Sequence, residues 1–343
     1  MPKTNVTIPF FIPHLGCRHR CVFCNQVYTS NTNTPPNEDD IINKVELYLK
    51  NIKSSVQHVE IAFFGGSFTG LDTELQKKYL AIAHEYYSKK MIQGIRLSTR
   101  PDYINKPILH LLKEYTVTTI ELGVQSFHDD VLQASSRGHT VDDTMNAIAC
   151  IKNAGFNLII QLMPGLPCDT PDKSIESAHI ACTLQPNGVR IYPTIVIKDT
   201  VLEKLFIEGI YTPMTLEEAV TLTAGMYSIF TMNNIPVIRM GLHPFANDTS
   251  SFIVAGPYHP SFGYLVKSRY CRNQLQNMLQ QATDNNSTSK RYIIELPALH
   301  SAEYLGAHRE NIAFLQNMFY NSYIQCTITN TLEPILYSDS YYE

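Results

Sequence analysis

The chain has 343 residues, 44% of them apolar and 17% charged, which suits a globular protein with a sizeable core. Its 27 basic and 31 acidic residues give a formal net charge of −4, which excludes a global basic field that would attract nucleic acid. The sequence has no run of about 18 apolar residues, so we expect neither a membrane span nor a membrane partner. We predict a core domain over residues 1–250, a connecting helix and polar linker over 251–290, and a small domain over 291–343.

Strand-like segments alternate with helical segments from the N-terminal region to about residue 242. Most of the strand segments are continuous apolar runs, which is typical of parallel strands that are buried on both faces. The alternation predicts an α/β fold whose parallel sheet is curved or closed into a barrel. The predicted strands are Val6–Phe11, Val59–Phe64, Ile95–Thr99, Thr118–Val124, Leu158–Met163 and Val189–Tyr192.

Short polar residues mark the predicted starts of the helices between these strands. Such residues cap a helix because their side chains accept hydrogen bonds from the first free backbone N–H groups. In the last helix of the series, Thr-Leu-Glu-Glu over 215–218 also has the spacing of a capping box. The predicted caps are Asn37, Asp72, Thr140, Thr170 and Thr215.

Three of the eight cysteines, Cys17, Cys21 and Cys24, follow the first predicted strand at the spacing CxxxCxxC. Three thiolates on one short loop can hold a metal cluster. A structural zinc site is usually closed by four ligands in two pairs, and no second pair follows here. A reactive or structural thiol group, or adventitious zinc, is the alternative. The other cysteines are scattered singly, which favours a reducing compartment, the cytoplasm, over a disulfide framework.

The cysteine spacing resembles that of the radical S-adenosylmethionine (radical SAM) enzymes. The resemblance implies a [4Fe–4S] cluster on Cys17, Cys21 and Cys24, with one open iron that binds SAM, and a partial (βα)6 barrel. It also implies that the cluster's electron cleaves SAM to methionine and a 5′-deoxyadenosyl radical, which abstracts a substrate hydrogen. The aromatic residue before the last cysteine, Phe23, is then expected near the adenine.

A glycine pair, Gly65 and Gly66, follows the second predicted strand and is continued by Ser67. The resemblance implies that this pair offers its backbone to the amino group of SAM. Glycine suits this role because it lets a ligand approach the backbone where any Cβ would block it. The alternative is a tight turn between strand and helix, which also favours glycine.

Three later segments narrow the resemblance: TRPD over 99–102, ELGVQS over 121–126 and RGHT over 137–140. In this order they are similar to the catalytic subunit of the Elongator complex, and oxygen-independent coproporphyrinogen oxidase has a similar GVQ and a downstream arginine. The resemblance implies that Gln125 contacts the ribose of SAM and Arg137 its carboxylate. An amide suits a diol, and a guanidinium suits a carboxylate.

The fifth predicted strand adds Gln161 as a candidate contact to adenosine, and it leads into MPGLP over 163–167, which both relatives share. A YPT segment over 192–194 is similar to the Elongator subunit. His139 is interpreted as a histidine of a helix cap. The Elongator subunit also carries an acetyltransferase domain, for which this chain ends too soon, so we do not extend the resemblance to an acyl-CoA-dependent reaction.

The sequence is therefore interpreted as a radical SAM enzyme that modifies RNA, with tRNA as the narrower expectation. Such an enzyme needs a reductant such as flavodoxin or ferredoxin. The alternative is a haem-binding or porphyrin-related protein of the same fold without oxidase activity. The HNxxYW element of those relatives cannot occur in this chain, which has no tryptophan.

The last segment is predicted to run β-α-α-β from Arg291 to Thr329. Its helices are joined by Gly306-Ala307-His308-Arg309, which resembles the GxxG loop of the KH fold. That loop binds a nucleic-acid backbone in KH domains. Arg309 stands at the fourth position, where the KH loop has glycine. A small α+β domain used only for packing is the alternative.

Overall fold

The computed structural model describes residues 5–12, 15–17, 19–30, 34–242, 252–283 and 291–339. Seven of its strands form one curved parallel sheet, three form a small C-terminal sheet, and two form an antiparallel pair. The strands are β1 (Asn5–Ile12), β2 (His58–Gly65), β3 (Gly94–Thr99), β4 (Thr119–Gln125), β5 (Asn157–Leu162), β6 (Gly188–Ile191), β7 (Val196–Ile197), β8 (Val237–Met240), β9 (Ile253–Ala255), β10 (Arg291–Pro297), β11 (Tyr323–Thr329) and β12 (Ile335–Asp339).

The large sheet has the order β1-β2-β3-β4-β5-β6-β8, and every pairing within it is parallel. The α/β partial barrel is therefore confirmed, and each of the six predicted strands is present within two residues of its predicted ends. The seventh strand, β8, was not predicted. Because consecutive strands are neighbours and parallel, their carboxyl ends meet at one edge of the sheet.

Helices follow the strands and cover the convex face of the sheet. All five predicted caps are observed at the start of a helix, each accepting a backbone hydrogen bond through its side chain. The helices are α1 (Gln26–Ser30), α2 (Glu38–Asn51), α3 (Thr73–Ser88), α4 (Lys106–Glu114), α5 (Asp129–Ala134), α6 (Val141–Asn153), α7 (Pro171–Thr183), α8 (Val201–Ile207), α9 (Leu216–Met232), α10 (Phe262–Ala282), α11 (Ser301–Leu305) and α12 (Glu310–Met318). None of the described helices is long and apolar enough to cross a membrane.

Side chains alternate between the two faces of the sheet, as they must on extended strands. Ile61, Phe63, Leu97 and Ile120 belong to the fully buried core between the sheet and the helices. The residues that alternate with them along each strand face the concave side, and these residues are far more polar than those of the core. Charged and polar residues on that side include Glu60, Arg96, Ser98, Glu121, Gln161 and Arg190.

The C-terminal segment has the predicted order β10-α11-α12-β11, with β10 and β11 parallel. A further strand, β12, pairs antiparallel with the other side of β10 and was not predicted. Helix α10 contributes to two cores, since Phe262 and Val266 pack in the large one and Leu275 and Leu279 in the small one. Of the predicted connecting helix and polar linker, residues 284–290 lie outside the described residues.

Candidate active site

A cavity of about 270 Å³ opens at the edge where the carboxyl ends of strands β1 to β5 meet. Every cofactor or metal residue predicted from the sequence lines it. The cavity is thus bordered by thiol, guanidinium and amide groups. Its lining residues are Cys17, His19, Arg20, Cys21, Phe23, Cys24, Gln26, Gly65, Gly66, Ser67, Ser98, Thr99, Arg100, Glu121, Gly123, Gln125, Arg137 and Gln161.

The loop that carries the cysteines is held by backbone hydrogen bonds at several points. Cys24 N donates to Cys21 O at 3.1 Å, which closes a tight turn around the last two cysteines. The N–H of Val22 donates to Ser135 O at 3.2 Å, and its carbonyl accepts from Leu202 N at 2.8 Å. Phe23 lines the cavity and packs against the small apolar cluster around Val22. The three thiols therefore project from a loop that is fixed to two other parts of the barrel.

The thiol of Cys24 shows why this loop suits a metal group. Its burial, with smaller contributions from Cys21 and Cys17, raises the pKa of Cys24 to about 12. A free thiol there stays protonated, whereas a bound metal supplies the positive charge that stabilises the thiolate. No three His, Cys, Asp or Glu side chains of the described residues form a site for a single metal ion. The sulfur-only donor set on one loop fits an iron–sulfur cluster.

The glycine pair packs against the chain that leads into the cysteine loop. Gly66 N donates to Ile12 O at 2.8 Å, and Gly65 has a φ of +100°. A Cβ on Gly66 would lie 2.9 Å from the carbonyl oxygen of Ile12 and closer still to that of Leu15. The close approach of the protein's own backbone is therefore a structural reason for glycine at position 66, and contact of the pair with a ligand stays a prediction.

The two predicted glutamines meet at the cavity. Gln161 Nε2 donates to Gln125 Oε1 at 3.0 Å, which fixes both amides. Gln125 is 5% exposed and has a φ of +72°, at a point where the register between β4 and β5 shifts. A non-glycine residue in this region is strained, and such strain is concentrated at functional sites. The bent strand end turns the Gln125 side chain to the cavity that it lines.

Arg137 connects the cysteine loop to the sheet. Its guanidinium donates from Nη1 to Cys21 Sγ at 3.1 Å and from Nη2 to Gly123 O at 2.6 Å. Its Nε is buried without a hydrogen-bond partner among the described residues. A solvated charge at the end of a helix is the alternative to a ligand-binding role for an arginine at this position. At 5% exposure Arg137 is a buried cation, and a buried charge needs partners.

Arg100 anchors the segment that holds Arg137. Its Nε and Nη2 donate to the two carboxylate oxygens of Asp102 at 2.9 and 3.1 Å, and Nη2 also donates to Arg137 O. Arg100 is 3% exposed, and its Nη1 has no acceptor among the described residues. Arg100 belongs to the TRPD segment, and no role was predicted for it from the sequence.

A chain of buried ion pairs crosses the concave face behind the cavity. Arg96 Nη2 lies 3.1 Å from Glu60 Oε1, and Arg190 Nε lies 2.9 Å from Glu121 Oε2. Arg96 Nη1 also approaches Glu121 at 3.8 Å. Burial raises the pKa of the Glu121 carboxyl, although both arginines oppose that shift. These residues were not predicted as site residues, and their signal in the sequence was charge inside otherwise apolar strands.

His139 lies behind Arg137 and immediately precedes the cap Thr140. Its side chain is 5% exposed, and burial, with the nearby Arg137 and Arg100, lowers the pKa of His139 to about 3. The imidazole is therefore neutral at neutral pH. The interpretation as a histidine near a helix cap holds for its position, but the residue is also part of the packing beneath the two arginines.

A larger cavity of about 660 Å³ lies between the loop after β5 and the segment that joins α8 to α9. Its lining is mostly apolar and includes Leu166, Leu205 and Met214. It contains none of the clustered cysteines and none of the unpaired arginine nitrogens. We therefore assign the chemistry to the smaller, polar cavity.

Comparison with known proteins is consistent with this geometry. A family model described as the Radical SAM superfamily matches residues 11–181, which include the end of β1, the cysteine loop and β2 to β5. A second model, described as the Radical_SAM C-terminal domain, matches residues 186–272. Together the two models account for most of the chain.

Similar proteins include Elongator complex protein 3 of Saccharomyces cerevisiae, 30% identical over 201 residues that cover 53% of this chain and 36% of the yeast protein. A tRNA uridine(34) acetyltransferase of Dehalococcoides mccartyi is 26% identical over 232 residues, covering 58% of this chain and 50% of that protein. The solved structure of archaeal Elp3 from Methanocaldococcus infernus superposes with a TM-score of 0.61 at 21% identity, over 83% of this chain and 65% of that one. The chain thus spans half or less of the length of these curated relatives, and the structural likeness supports the fold.

Proposed function

We propose, from the premise that this chain belongs to the radical SAM superfamily, that its small polar cavity binds a [4Fe–4S] cluster and SAM. One observation carries the proposal. Residues from the cysteine loop, from the ends of β2, β4 and β5, and from the loop after α5 all line one cavity. All of them were predicted from the sequence as cofactor or metal residues, although they are up to about 140 positions apart in the chain.

In this proposal Cys17, Cys21 and Cys24 hold three irons of the cluster. A reduced cluster, when bound, supplies the electron that cleaves SAM to methionine and a 5′-deoxyadenosyl radical able to abstract a hydrogen atom from a substrate. The protein's own contribution is to orient and to exclude water. Arg137 donates to the sulfur of one ligand and so couples the cluster to the rest of the site.

The remaining proposed contacts to SAM are those predicted from the sequence. Gln125 binds the ribose hydroxyls, and the hydrogen bond from Gln161 sets the orientation of its amide. Arg137 binds the carboxylate, and Phe23 lies along the adenine. Gly65 and Gly66 keep the backbone close to the amino group, in addition to their packing against Ile12.

We further propose that the substrate is RNA, with tRNA as the narrower candidate, and that a protein such as flavodoxin or ferredoxin supplies the electron. The relative named as a tRNA uridine(34) acetyltransferase supports the tRNA assignment. The net charge of −4 means that RNA binding needs a local contact, because phosphate neutralisation dominates nucleic-acid affinity. The loop Gly306–Arg309 is the candidate contact.

The substrate assignment is tested by anaerobic turnover of the cluster-loaded protein with bulk tRNA, SAM and reductant. Nucleosides from the digested tRNA are then compared by mass spectrometry with those from a reaction without SAM. A new modified nucleoside that depends on SAM supports an RNA substrate. Formation of 5′-deoxyadenosine with no change in any nucleoside would contradict an RNA substrate while leaving the cofactor chemistry intact.

A further inference from the structure

We propose that Arg100 is a second binding residue for the carboxylate of SAM, acting beside Arg137. This inference rests on the proposed function, because it names a contact to the ligand of the same cavity. It differs from the resemblance, which assigns the carboxylate to Arg137 alone.

The position of Arg100 follows from the sheet order. It directly follows β3, and β3 lies between β2, which ends at the glycine pair, and β4, which ends at Gln125. Along β3 the side chains of Arg96 and Ser98 face the concave side, and Arg100 continues that alternation. It therefore lies on the edge between the residues proposed for the amino group and those proposed for the ribose, and it lines the cavity.

The hydrogen bonds of Arg100 leave one side of its guanidinium free. The edge formed by Nε and Nη2 is paired with Asp102, and Nη2 also donates to Arg137 O. The remaining nitrogen, Nη1, is buried and has no acceptor in the part of the chain that the structure describes. A buried donor without an acceptor costs free energy, so such a group at a cavity wall points to an acceptor supplied by a ligand.

Arg137 also lines the cavity and also has a nitrogen without a hydrogen-bond partner among the described residues. This nitrogen is Nε, whereas each of its Nη groups already donates one hydrogen bond, to Cys21 Sγ and to Gly123 O. With Arg100 Nη1 the cavity wall offers donors from two guanidinium groups to the two oxygens of one carboxylate, the arrangement that gives strong charge-assisted recognition.

A purely structural role is the competing explanation, since Arg100 also holds the Arg137 carbonyl. The readout is the preference of the protein for SAM over decarboxylated SAM, which lacks only the carboxylate. If Arg100 acts only by holding Arg137, replacing Arg100 has no effect on this preference once Arg137 is replaced by alanine. If Arg100 contacts the carboxylate, replacing it lowers the preference in the Arg137→Ala protein as well.

The experiment uses the full chain with its cluster reconstituted anaerobically, and it measures the dissociation constants of SAM and decarboxylated SAM by equilibrium dialysis. The variant is Arg100→Gln, made both alone and together with Arg137→Ala, with Arg100→Lys as a milder second variant in case the first fails to fold. Lys106→Gln is the matched control, because it removes a cation at the first residue of α4, an exposed position that does not line the cavity. Iron content confirms that each variant holds its cluster.

We expect Arg100→Gln to reduce the preference for SAM about tenfold, the loss typical of a hydrogen bond to a charged group, while Lys106→Gln leaves it unchanged. A preference that is unchanged in both Arg100 variants would overturn the inference, and so would a preference that Arg100→Gln lowers only in the protein that retains Arg137. A wild-type protein that forms its cluster but binds no SAM would overturn the proposed function and this inference with it. Failure of this inference and failure of the proposed function therefore give different results.

Discussion

Arg137 Nη1 donates a hydrogen bond to Cys21 Sγ at 3.1 Å, although the two residues are 116 positions apart in the chain. The contact joins the cysteine loop to the end of β4, because the same guanidinium donates to Gly123 O. The proposed cluster ligand and the proposed SAM ligand are thus in direct contact. A substitution of Arg137 should therefore affect both the cluster and the binding of SAM.

Replacing Arg137 by alanine should weaken SAM binding by roughly tenfold or more, since it removes a charge-assisted hydrogen bond. It should also make the cluster harder to reduce, because a positive hydrogen-bond donor to a ligand sulfur is lost. Iron content should stay near that of the wild type. Equilibrium dialysis measures the affinity, and an anaerobic redox titration measures the potential. Unchanged SAM affinity would show that the assigned role of Arg137 is wrong.

Replacing Gly66 by alanine should reduce cluster occupancy as well as SAM binding. The added Cβ would meet the backbone of Ile12 and Leu15, so the start of the cysteine loop must move. Iron and sulfide content after reconstitution measures this loss, and Gly155→Ala is the matched control because no atom lies within 4 Å of a Cβ there. Gly155 has a φ of +77°, whereas Gly66 has no positive φ, so the control variant carries backbone strain without the steric overlap. Full cluster content in Gly66→Ala with only SAM binding lost would favour a pure ligand-contact role.

The buried His139 should make the protein less stable as the pH falls. Its pKa is lowered to about 3 in the folded state, against about 6.5 for an unperturbed histidine. The unfolded state therefore takes up the proton first, and the stability that this histidine contributes above pH 6.5 is lost progressively below it. Between about pH 7.5 and about pH 5 the loss is about 2 kcal/mol. Chemical denaturation of the cluster-free protein at both pH values measures it, and His139→Gln should lose correspondingly less. Parallel pH profiles for the two proteins would contradict the assignment.

RNA binding, if it uses the C-terminal loop, should depend on Arg309. This residue has a φ of +65° and caps α12, so its backbone adopts the conformation that glycine favours at the corresponding position of a GxxG loop. Arg309→Glu should weaken binding to tRNA and lower its salt dependence, because one phosphate contact is lost. Lys113→Glu on α4 makes the same charge change at an exposed position of the barrel and should have no effect. Equal affinities at several salt concentrations would remove the loop from RNA binding.

The point variant is a better test than deletion of residues 291–343. Helix α10 packs Cys271, Leu275 and Leu279 into the core of the C-terminal domain. Deletion would expose this apolar face and change the stability of the barrel against which the helix also packs.

Much of the fold was predictable because its signals are local. Apolar runs identified six of the seven strands of the large sheet, and single side chains identified the five helix caps. The edge strand β8 was missed because its sequence, Val-Ile-Arg-Met, is short and contains an arginine, and its pairing with β6 is set by distant residues. Strand β12 was missed for the same reason, since its stability depends on pairing with β10.

The site could be predicted as a set of residues but not as a set of contacts. Cys17, Gln125 and Arg137 carry recognisable motifs, and all three line the cavity. The role of Arg100 could not be predicted, because it depends on the carbonyl of a residue 37 positions away. The packing reason for Gly66 likewise depends on where the loop after β1 crosses it.

The most direct test of the central claim is reductive cleavage of SAM by the anaerobically reconstituted protein. Chromatography after addition of a strong reductant should detect 5′-deoxyadenosine and methionine in equal amounts. The products should be lost in Cys17→Ala, Cys21→Ala and Cys24→Ala, but should persist in Cys168→Ala, which changes an exposed cysteine outside the cavity. Equal product formation in the triple variant, or none from a wild-type protein that holds its cluster and binds SAM, would contradict the account.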